Sequence, residues 1–507
     1  MNQPRHHAIG IDLGTTFSAV AVLDDLGRPQ TLVNGEGDKL TPSVVFFEES
    51  EVIVGKEAVK AISTAAAQVA ECAKRDLGNR MYEKVLGGRQ YPPEALEAWV
   101  LNKLRVDAER LIGAFDKVVI TVPAYFDEVR RKATQDAGYM AGFDVMDIIN
   151  EPTAAAIAFG FQESGKNSPA TVKGPRRILV YDLGGGTFDV TVMEISSDQF
   201  VTLATDGDVR LGGRDWDQRL VDYVAEEFVR RFGIDPREDP NTEGRLWREC
   251  EDTKRTLSAR SKATVTCDYK GQAVRLEITR VQFEEMTRDL LDRTAFTTRQ
   301  TLQAAGLKWE EIDRVLLVGG STRMPAVCEM LQTITGKELD RSISPDEAVA
   351  HGAAIHAGLL LERSHGQAPR VTVRNVNSHS LGVVARDSVT QRQRNAILVP
   401  RNTPLPVSAK RIFKTHKAAQ KSILVQIVEG ESASPDDCSQ IGKCSVRELP
   451  PNLPAETPIE VGFRYAENGR LTVMVNCAGK ELCHEIQRDN SLTQEQLASW
   501  RQYISGR

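Results

Sequence analysis

Two short stretches of this chain repeat one pattern: IGIDLGTTFSAVAV at residues 9–22 and LVYDLGGGTFDVTV at residues 179–192. In each stretch an apolar run ends in Asp-Leu-Gly, a turn of small residues follows, and a second alternating run begins. Alternation with period two on both sides of a turn predicts a β-hairpin. Small residues let the backbone N–H groups of such a turn approach an anion closely. The repetition therefore predicts two facing lobes, each with a hairpin suited to phosphate.

The aspartate of each repeat, Asp12 or Asp182, stands at the end of the first predicted strand. A carboxylate repels phosphate, so a divalent cation must lie between the two groups if phosphate binds there. The sequence therefore predicts a nucleotide with Mg²⁺, held between duplicated lobes. A single hairpin of this kind is about as often an ordinary glycine turn, and it is the duplication that favours the nucleotide site.

A third element points to the same site. The segment LLVGGSTRMPAV, residues 316–327, predicts a buried strand, a turn at Gly319, Gly320 and Ser321, and a helix that begins near Met324. Backbone N–H groups at such a turn and at a helix N-terminus can bind phosphate or the edge of a nucleoside. A lone Gly-Gly turn would be weak evidence, and the element gains weight only beside the two hairpins.

Length and charge bound the class of protein. A chain of 507 residues is long enough for two to four domains. The formal net charge of −6, from 64 basic and 70 acidic residues, disfavours a general nucleic-acid binder. No apolar run approaches the length of a membrane span, and the first ten residues lack the apolar segment of a secretory signal. We therefore expect a cytoplasmic protein with neither nucleic acid nor membrane as a partner.

The eight cysteines form no Cys-x-x-Cys pair, so we expect reduced thiols. Four of them fall close together in the last quarter of the chain, at Cys438, Cys444, Cys477 and Cys483. This group leaves two interpretations open, a metal or redox pair and cysteines that merely fill strands, of which the second is favoured.

The pattern along the chain predicts two kinds of architecture. Strands and helices alternate over residues 1–363, as in a layered α/β fold. A helix at the end of that region has a capping box in Ser344 and Glu347, with Pro345 in its first turn. Residues 364–374 resemble a linker, residues 375–490 predict a small antiparallel β domain, and residues 491–507 predict one short capped helix.

Six motifs carry a resemblance to a known family. They are DLGTT, VITVPAYF at 119–126, INEPTAAAIAFG at 149–160, DLGGGTFDV, CEDTKRTLS at 250–258 and VGGSTRMP. In these motifs and their order the chain resembles the seventy-kilodalton heat-shock chaperones, the Hsp70 family, strongly up to residue 363 and more weakly beyond it. The resemblance implies an actin-like two-lobed ATPase, a duplicated ribonuclease-H-like fold, followed by a β-sandwich that grips extended peptides.

The resemblance also implies roles in slow ATP hydrolysis, which depends on positioning and on electrostatic stabilisation of a phosphoryl group. Lys74 would reach the γ-phosphate and the attacking water, although without the family it would be taken for a surface charge. Glu151 and Asp189 would orient that water or accept its proton, and Thr187 would contact the γ-phosphate. Asp12 and Asp182 would hold Mg²⁺, mainly through its water shell. The phosphates would be cradled by Gly14, Thr15, Thr16, Gly184, Gly185 and Gly186.

The nucleoside would contact a second group of residues. Glu251, Arg255 and Ser258 have the spacing i, i+4, i+7, which places them on one helix face. That face is about as often a solvated salt-bridge surface as a binding surface. The complete group implied by the family is Gly213, Glu251, Lys254, Arg255, Ser258, Gly319, Gly320, Ser321, Arg323 and Asp346. Whether K⁺ assists Mg²⁺ is left open.

Some residues depart from the family pattern, and they concern partners and coupling. Arg374 and Asn375 replace an apolar anchor and an acid in the linker, so we expect weaker docking between the domains. Asp147 replaces an arginine used by J-domain co-chaperones, so we expect the usual partner to be repelled. The segment 77–93 is shortened, which makes exchange-factor contacts doubtful.

The peptide pocket implied by the family is altered as well. Val383, Phe413, Ile423 and Val425 would line it, but Arg470 takes the place of an isoleucine on its floor. A charge buried there without a partner would cost several kcal/mol, about as much as an apolar side chain gains. Arg386 and His416 stand at the positions of the arch over the pocket, and the helical lid is truncated, so peptides should exchange fast.

Two functions remain from these observations. The first is an ATP-dependent chaperone of the Hsp70 type that hydrolyses ATP to control the binding of extended segments of unfolded proteins. The second is an ATP-dependent regulatory module that binds one dedicated protein partner. A sugar or acetate kinase on the same fold is disfavoured because no acceptor site is visible and the β tail would have no role, and a filament-forming scaffold is not addressed by the sequence.

Overall fold

The computed structural model describes residues 7–49, 51–166, 174–196, 198–366, 371–387, 389–447, 449–466, 471–485 and 492–506. Over these residues the chain forms two α/β lobes and a β region, defined as residues 381–485, which is followed by one helix. No helix among the described residues is long and apolar enough to cross a membrane.

The first lobe is built on a sheet in the order β3-β2-β1-β8-β9, with β4 beside β2 and a second small sheet, β6-β5-β7. β1 pairs antiparallel with β2 and parallel with β8. The strands are β1 Ile9–Asp12, β2 Phe17–Leu23, β3 Pro29–Leu32, β4 Thr41–Pro42, β5 Val44–Glu48, β6 Glu51–Val54, β7 Val69–Glu71, β8 Lys117–Val122 and β9 Asp144–Asn150. The helices are α1 Lys56–Ala65, α2 Pro93–Ile112, α3 Glu128–Met140 and α4 Glu151–Lys166.

The second lobe repeats this core arrangement in a sheet of order β16-β15-β10-β11-β12-β17, next to a separate β13–β14 hairpin. β10 pairs antiparallel with β11 and parallel with β15. The strands are β10 Arg176–Leu183, β11 Phe188–Ile195, β12 Gln199–Asp208, β13 Lys262–Tyr269, β14 Gln272–Thr279, β15 Arg314–Val318, β16 Leu339–Asp340 and β17 Thr372–Arg374. The helices are α5 Gly213–Phe232, α6 Pro240–Ala259, α7 Arg280–Met286, α8 Arg288–Ala304, α9 Pro325–Thr335 and α10 Ala348–Ser364. The duplication predicted from the two hairpins is therefore present.

A shared core joins the two lobes. Val119 of the first sheet, Val180 of the second, and apolar residues of α4 and α10 belong to one buried cluster. The crossing of α10 over α4 is close, because a Cβ atom at Gly352 would lie 1.7 Å from the carbonyl oxygen of Ala154. Only glycine permits this approach, and the core therefore fixes the lobes around the hinge between them.

The start of α10 differs from the predicted capping box. The helix begins at Ala348 with Glu347 as its N-cap residue, so Pro345 precedes the first turn. The Glu347 carboxylate accepts hydrogen bonds from Thr31 Oγ1, at 2.6 Å, and from Lys39 Nζ in the first lobe. Partners from the other lobe therefore take the place of the local cap.

The β region consists of two four-stranded antiparallel sheets, β19-β18-β21-β22 and β20-β23-β24-β25. Their inward side chains form one core, which includes Val383, Ile427, Phe463 and Val473. The strands are β18 Leu381–Arg386, β19 Gln393–Val399, β20 Val407–Lys414, β21 Ser422–Glu429, β22 Ser439–Arg447, β23 Pro458–Tyr465, β24 Leu471–Cys477 and β25 Lys480–Glu485. The alternation of apolar residues predicted antiparallel strands here, and the pairing of two sheets is what the family resemblance implied.

The segment predicted as a linker contains a strand. α10 extends to Ser364, and β17 pairs parallel with β12 at the edge of the second lobe. Val371 and Val373 pack against the core that the lobes share. The Asn375 side-chain oxygen accepts hydrogen bonds from Thr153 and Thr202, each at 3.3 Å. Asn375 therefore finds polar partners in the lobes, and the expectation that Arg374 and Asn375 weaken docking stays a prediction.

All eight strands of the β region run between the same two ends. At the docked end, Glu429 and Tyr465 contact Glu128 of the first lobe, and Arg401 pairs with Asp206 of the second at 2.9 Å. The strands end on the opposite side at Arg386, Lys414 and other residues that no described part of the lobes covers. We call that side the free end.

The last helix, α11 Gln494–Ser505, packs on the first lobe beside α2 and α3. Leu497, Trp500 and Ile504 are buried in the core of that lobe. The Arg89 guanidinium lies 4.3 Å from the centre of the Trp500 ring, a cation–π contact. The predicted short capped helix is thus present, with Thr493 and Gln496 forming its capping box.

Candidate nucleotide-binding cleft

The two predicted phosphate hairpins face each other across the lobes. The first turn, between β1 and β2, carries Thr15 and Thr16, and the second, between β10 and β11, carries Gly185 and Gly186. A Cβ atom at Gly185 would lie 2.4 Å from Thr16 Oγ1, and one at Gly186 would lie 2.3 Å from Thr15 Cγ2. Any larger residue in the second turn would fill the space between the hairpins. The sequence therefore brings two glycine-lined turns to a single point.

The first turn is held by hydroxyl groups. The Gly14 backbone N–H donates to Ser18 Oγ at 3.2 Å, and Ser43 Oγ donates to the Gly14 carbonyl at 2.8 Å. In the second turn, the Gly184 N–H donates to the Thr187 carbonyl at 3.0 Å, and Thr187 itself is buried. These bonds fix the turns before any ligand is present.

Lys74 lies inside this cleft and is only 1% exposed. It belongs to a 3₁₀ turn at Ala73–Asp76, which follows β7. Its Nζ donates to the Leu13 carbonyl in the first hairpin and to Glu151 Oε1 at 2.6 Å. The interpretation of Lys74 as a solvated surface charge is therefore excluded.

Two buried aspartates, Asp182 and Asp189, and the half-buried Asp12 complete the group around Lys74. Burial, and then the charge of Glu151, raise the pKa of Asp12 to about 7 and that of Asp189 to about 8. The same two causes hold the pKa of Asp182 well above its usual range. Asp189 Oδ1 accepts a hydrogen bond from the Tyr125 backbone N–H, while its Oδ2 atom is buried without a hydrogen-bond partner. The cleft thus contains more carboxylates than its one lysine can neutralise.

This donor set fits a hydrated divalent cation. The described residues contain no group of three or more side chains placed to ligate a metal directly. Mg²⁺ commonly keeps several waters and needs only one or two carboxylates besides phosphate oxygens. Asp12 and Asp182 would hold such an ion, whose charge would lower the pKa values that burial and mutual repulsion raise.

Two of the predicted nucleoside residues and two of the predicted phosphate residues lie on opposite sides of a cavity of about 620 Å³ between the lobes. Thr15, Thr16, Glu251 and Arg255 line it. Arg255 donates to Glu251 at 2.6 Å, so the predicted face of α6 carries an ion pair. That pair also lies at the cavity wall. The spacing left open a salt-bridge surface or a binding surface, and this helix face carries a salt bridge and lines a cavity.

Other predicted nucleoside residues bind one another outside this cavity. Lys254 Nζ donates to the Gly213 carbonyl and to Asp217, both at 2.8 Å, and Ser258 Oγ donates to the Lys254 carbonyl at 3.2 Å. Ser321 Oγ donates to the Gly184 carbonyl at 2.9 Å, which connects the third motif to the second hairpin.

The third motif forms the turn that its glycines predicted. Gly319 has a φ of 81°, and a Cβ atom there would lie 2.4 Å from the Leu183 carbonyl oxygen. Gly320 begins a 3₁₀ turn that ends at Arg323, and α9 follows it with Met324 as the N-cap residue. Arg323 forms two hydrogen bonds with the Asp346 carboxylate, at 2.6 and 3.0 Å.

Sequence reasoning missed a contact group that joins the lobes across the same cavity. Arg214 lies 4.1 Å from the centre of the Trp247 ring, and both residues line the cavity. Glu71 of the first lobe pairs with Arg248 at 2.8 Å and with Arg214 at 3.6 Å. The available signal was Trp247 next to Arg248 on an otherwise polar helix. The partner of Arg248, Glu71, is too distant in the sequence to be identified from it.

Sequence reasoning also missed Glu97, which lies behind Lys74 and is 1% exposed. The backbone N–H of Lys74 donates to its carboxylate, and burial raises the pKa of Glu97 to about 7. The 3₁₀ turn of Lys74 has no side-chain cap of its own, because Cys72 precedes it with a φ of 55°. Glu97 therefore supplies from α2 the acceptor that a capping residue would supply locally.

Comparison with known proteins agrees with this geometry. The model of the family described as "Hsp70 protein" matches residues 8–502. Chaperone protein DnaK of Halobacterium salinarum is 39% identical over 473 residues, which cover 92% of this chain and 72% of the relative. Chaperone protein DnaK of Thermus thermophilus is 39% identical over 524 residues, which cover 97% of this chain and 82% of the relative.

The chain belongs to the Hsp70 family. Its enzyme class is accordingly that of an ATPase, and the two-lobed α/β architecture is the one that the family resemblance implied. Lys74 is buried in this cleft beside four carboxylates.

The Hsp70 resemblance also named residues of the β region. Val383, Ile423 and Val425 are buried in its core, and Phe413 packs against that core while partly exposed. Arg470 lies outside the described residues. The side chains of seven cysteines are described, and none of these forms a disulfide. Cys444 and Cys477 fill the core as strand residues.

Ionisable groups that are far apart in the sequence meet at the interface between the first lobe and the β region. Glu429 accepts a hydrogen bond from the Glu128 backbone N–H at 3.1 Å, and the Tyr465 hydroxyl donates to the Glu128 carboxylate at 2.7 Å. Burial, together with the charges of Asp127 and Glu128, raises the pKa of Glu429 to about 8, although His379 opposes this. Burial lowers the pKa of His379, but the nearby glutamates outweigh it and the net shift is upward.

Asp147, at the position of the co-chaperone arginine, pairs with His356 Nε2 at 2.8 Å. Its carboxylate is therefore paired with a residue of α10, which packs against the sheet of the first lobe. The expected repulsion of a J-domain partner stays a prediction.

Proposed function

We propose that this protein is a molecular chaperone that hydrolyses ATP to control the binding of extended segments of unfolded polypeptide by its β region. The observation that carries the proposal is a continuous path from the cleft to that region. The second phosphate hairpin continues into β11, which pairs with β12, and β12 pairs with β17 next to the β region.

A second path uses side chains. Asp189 accepts a hydrogen bond from the Tyr125 N–H at 2.9 Å. The Tyr125 carbonyl is 2.9 Å from His379 Nε2, and the two rings lie 4.2 Å apart. A shift of Asp189 toward a bound nucleotide would therefore move the surface on which the β region rests. Each step of this path is a direct contact between two residues.

In the proposed reaction, the cleft residues position the phosphoryl group and the water. The Lys74 ammonium, fixed by Glu151 and the Leu13 carbonyl, would stabilise charge that develops on the γ-phosphate. The N–H groups of both glycine turns would hold the phosphate oxygens. Bound Mg²⁺ would neutralise part of the phosphate charge. Glu151, or Asp189 once ionised, would orient the attacking water and accept its proton.

The finer assignments belong to the same proposal. Residues 364–374 act as the linker, residues 375–490 as the substrate-binding β-sandwich, and α11 as the helix that follows it. Val383, Phe413, Ile423 and Val425 line the peptide pocket. The names of the DnaK relatives support a chaperone.

The test is fluorescence anisotropy of labelled peptides on the full chain, with ATP and with ADP. A peptide off-rate that ATP increases supports the proposal, and the increase should require ATP binding rather than turnover. The matched control is Lys74→Ala, which should still release peptide on ATP addition but not rebind it on the hydrolysis timescale. If ATP is hydrolysed and no peptide binds in either state, the dedicated-partner function replaces the proposed one.

A further inference from the structure

The free end of the β region has an unusual charge. It carries a basic patch made of Arg386, Arg392, Arg394, Arg411, Lys414, Lys417 and Lys421, all of which are exposed. These residues belong to two segments, 386–394 around the β18–β19 turn and 411–421 around the β20–β21 loop. Asp387 is the only carboxylate in those two segments.

The two segments lie at the same end of the β region. Arg411 Nη1 donates to the Ile397 carbonyl at 3.3 Å, which places β20 alongside β19. The two strands are joined by residues 400–406 at the docked end, so the start of β19 and the end of β20 both reach the free end. The basic side chains therefore share one surface.

Few partners neutralise this surface. Asp387 pairs with Arg394 at 3.4 Å, and Glu456 pairs with Lys414 at 3.1 Å. Among the described residues, Arg392, Lys417 and Lys421 form no ion pair with a carboxylate, which leaves an excess of positive charge facing solvent. By contrast, the docked end contains Glu429 and other acids.

Apolar groups lie next to this surface. Ile412 is 67% exposed on β20 and Leu424 is 57% exposed on β21, on the outer faces of the two different sheets. Phe413, a predicted pocket residue, is partly exposed, with the Arg411 guanidinium 5.8 Å from its ring centre. The surface thus offers apolar contacts surrounded by cations.

We propose that the free end selects extended polypeptide segments in which acidic residues flank an apolar side chain. This inference rests on the proposed function and adds to it the chemical class of the substrate. The apolar side chain would bury against Phe413 and its neighbours, and the flanking carboxylates would meet the basic patch. Charge complementarity of this kind sets partner choice and association rate more than total affinity.

A peptide fits this surface better than a nucleic acid does. Single-stranded nucleic acids are held by stacking on several exposed aromatic rings along a basic groove. Within the two segments of the basic patch, the only aromatic side chain apart from the imidazole of His416 is that of Phe413. Aliphatic Ile412 and Leu424 offer no comparable stacking platform.

The experiment measures the affinity of three labelled nonapeptides with one central leucine, flanked by Asp and Glu, by Lys, or by Ser. The full chain is used with ADP. We expect the acidic peptide to bind roughly tenfold more tightly than the Lys peptide at low salt, because exposed ion pairs are individually weak and several act together. This advantage should shrink as salt is raised to about 0.5 M, since screening acts on exposed charges.

The variant Arg392→Gln/Lys417→Gln/Lys421→Gln should remove most of the preference and leave the ATPase rate unchanged. Its matched control, Lys60→Gln/Lys262→Gln/Arg299→Gln, removes the same charge from exposed positions of the lobes and should keep the preference.

The outcomes distinguish failure of the inferred substrate class from failure of the proposed function. If the Lys or Ser peptide binds as tightly as the acidic one, the inferred substrate class is wrong while the proposed function stands. If no peptide binds although ATP is hydrolysed, the proposed function itself fails. If an oligonucleotide displaces the acidic peptide at lower concentration than unlabelled peptide does, the basic patch is a nucleic-acid site and the inference is overturned.

Discussion

The nucleotide cleft and the docked end of the β region are both buried groups of acids, and they differ in how the excess charge is balanced. In the cleft, Asp12, Asp182 and Asp189 surround the single ammonium of Lys74 next to a solvent-connected cavity. At the docked end, Glu429 and Glu128 face His379 in a closed interface. An open group of acids can accept a metal ion, whereas a closed one can accept only a proton.

This difference would give the two regions different inputs. Under the proposed function, the cleft would respond to a nucleotide with its cation, because the cation brings positive charge to the carboxylates. The docked end should respond to pH, because a raised carboxyl pKa means that docking takes up a proton. The cleft would then sense the nucleotide, and the docked end would set the strength of the contact between the lobes and the β region.

Lys74→Ala is expected to break the balance in the cleft most strongly. Removal of the only ammonium among four carboxylates should lower the single-turnover rate of ATP hydrolysis by roughly a hundred- to a thousandfold. The control is Lys103→Ala, which removes a lysine of α2 that pairs with Asp107 and Glu36. This variant should hydrolyse ATP normally. Equal rates for the two variants would remove Lys74 from the mechanism.

Glu97 should affect catalysis through the turn that carries Lys74, because it holds that turn in place. Glu97→Ala removes the acceptor for the Lys74 N–H and should lower kcat by roughly tenfold, with KM for ATP little changed, as expected for loss of one buried hydrogen bond. Glu97→Gln keeps an acceptor oxygen and should recover most of kcat. If both variants lose activity equally, the charge rather than the hydrogen bond matters.

The docked end should weaken as pH rises. Glu429 has a pKa raised to about 8 when docked, against 4.5 for an exposed glutamate, so the protonated form favours docking. The docking equilibrium should therefore fall from about pH 4.5 upward, by roughly fiftyfold between about pH 6 and 8, and level off above that range. The radius of gyration from small-angle X-ray scattering, with ATP present, reports this equilibrium.

The control for this pH dependence is Glu429→Gln, which cannot ionise and should flatten most of the curve. A smaller slope of the same sign should remain. His379 also has a raised pKa when docked, and its partners Glu431 and Glu429 favour its charged form at low pH. An unchanged curve in Glu429→Gln would show that the interface does not take up its proton at this residue.

The smallest expected effect concerns lobe closure. Glu71→Gln removes the ion pairs with Arg248 and Arg214 that join the lobes over the cavity. Release of a fluorescent ADP analogue should become about threefold faster, since a partly exposed pair contributes up to about 1 kcal/mol. Glu57→Gln, whose pair with Lys60 lies within α1, should leave the release rate unchanged.

How far the sequence could predict this structure depends on the distance over which each contact forms. The hairpins of Asp12 and Asp182, the turn at Gly319 and the helix after Thr493 are local patterns, and all of them are present. The capping box at Ser344 is also a local pattern, but Thr31 and Lys39 of the other lobe compete successfully for Glu347.

The remaining features depend on residues far apart in the chain. Glu429 and Glu128 look like ordinary surface glutamates, and only the docking of two regions buries them together. The same holds for Glu97, whose burial behind Lys74 requires the packing of α2 on the turn after β7. The number of acidic residues in the sequence did not indicate these sites, because it does not show which glutamates become buried next to one another.

The placement of α11 has a consequence for how the β region moves. That region is fixed to the lobes on its N-terminal side by β17 and on its C-terminal side by a helix whose Trp500 is buried in the first lobe. While α11 stays in place, an undocked β region is tethered at two points, and its effective concentration next to the lobes stays high. Redocking is then an intramolecular step whose rate does not depend on protein concentration, and each cycle of ATP begins from a β region that is already within reach.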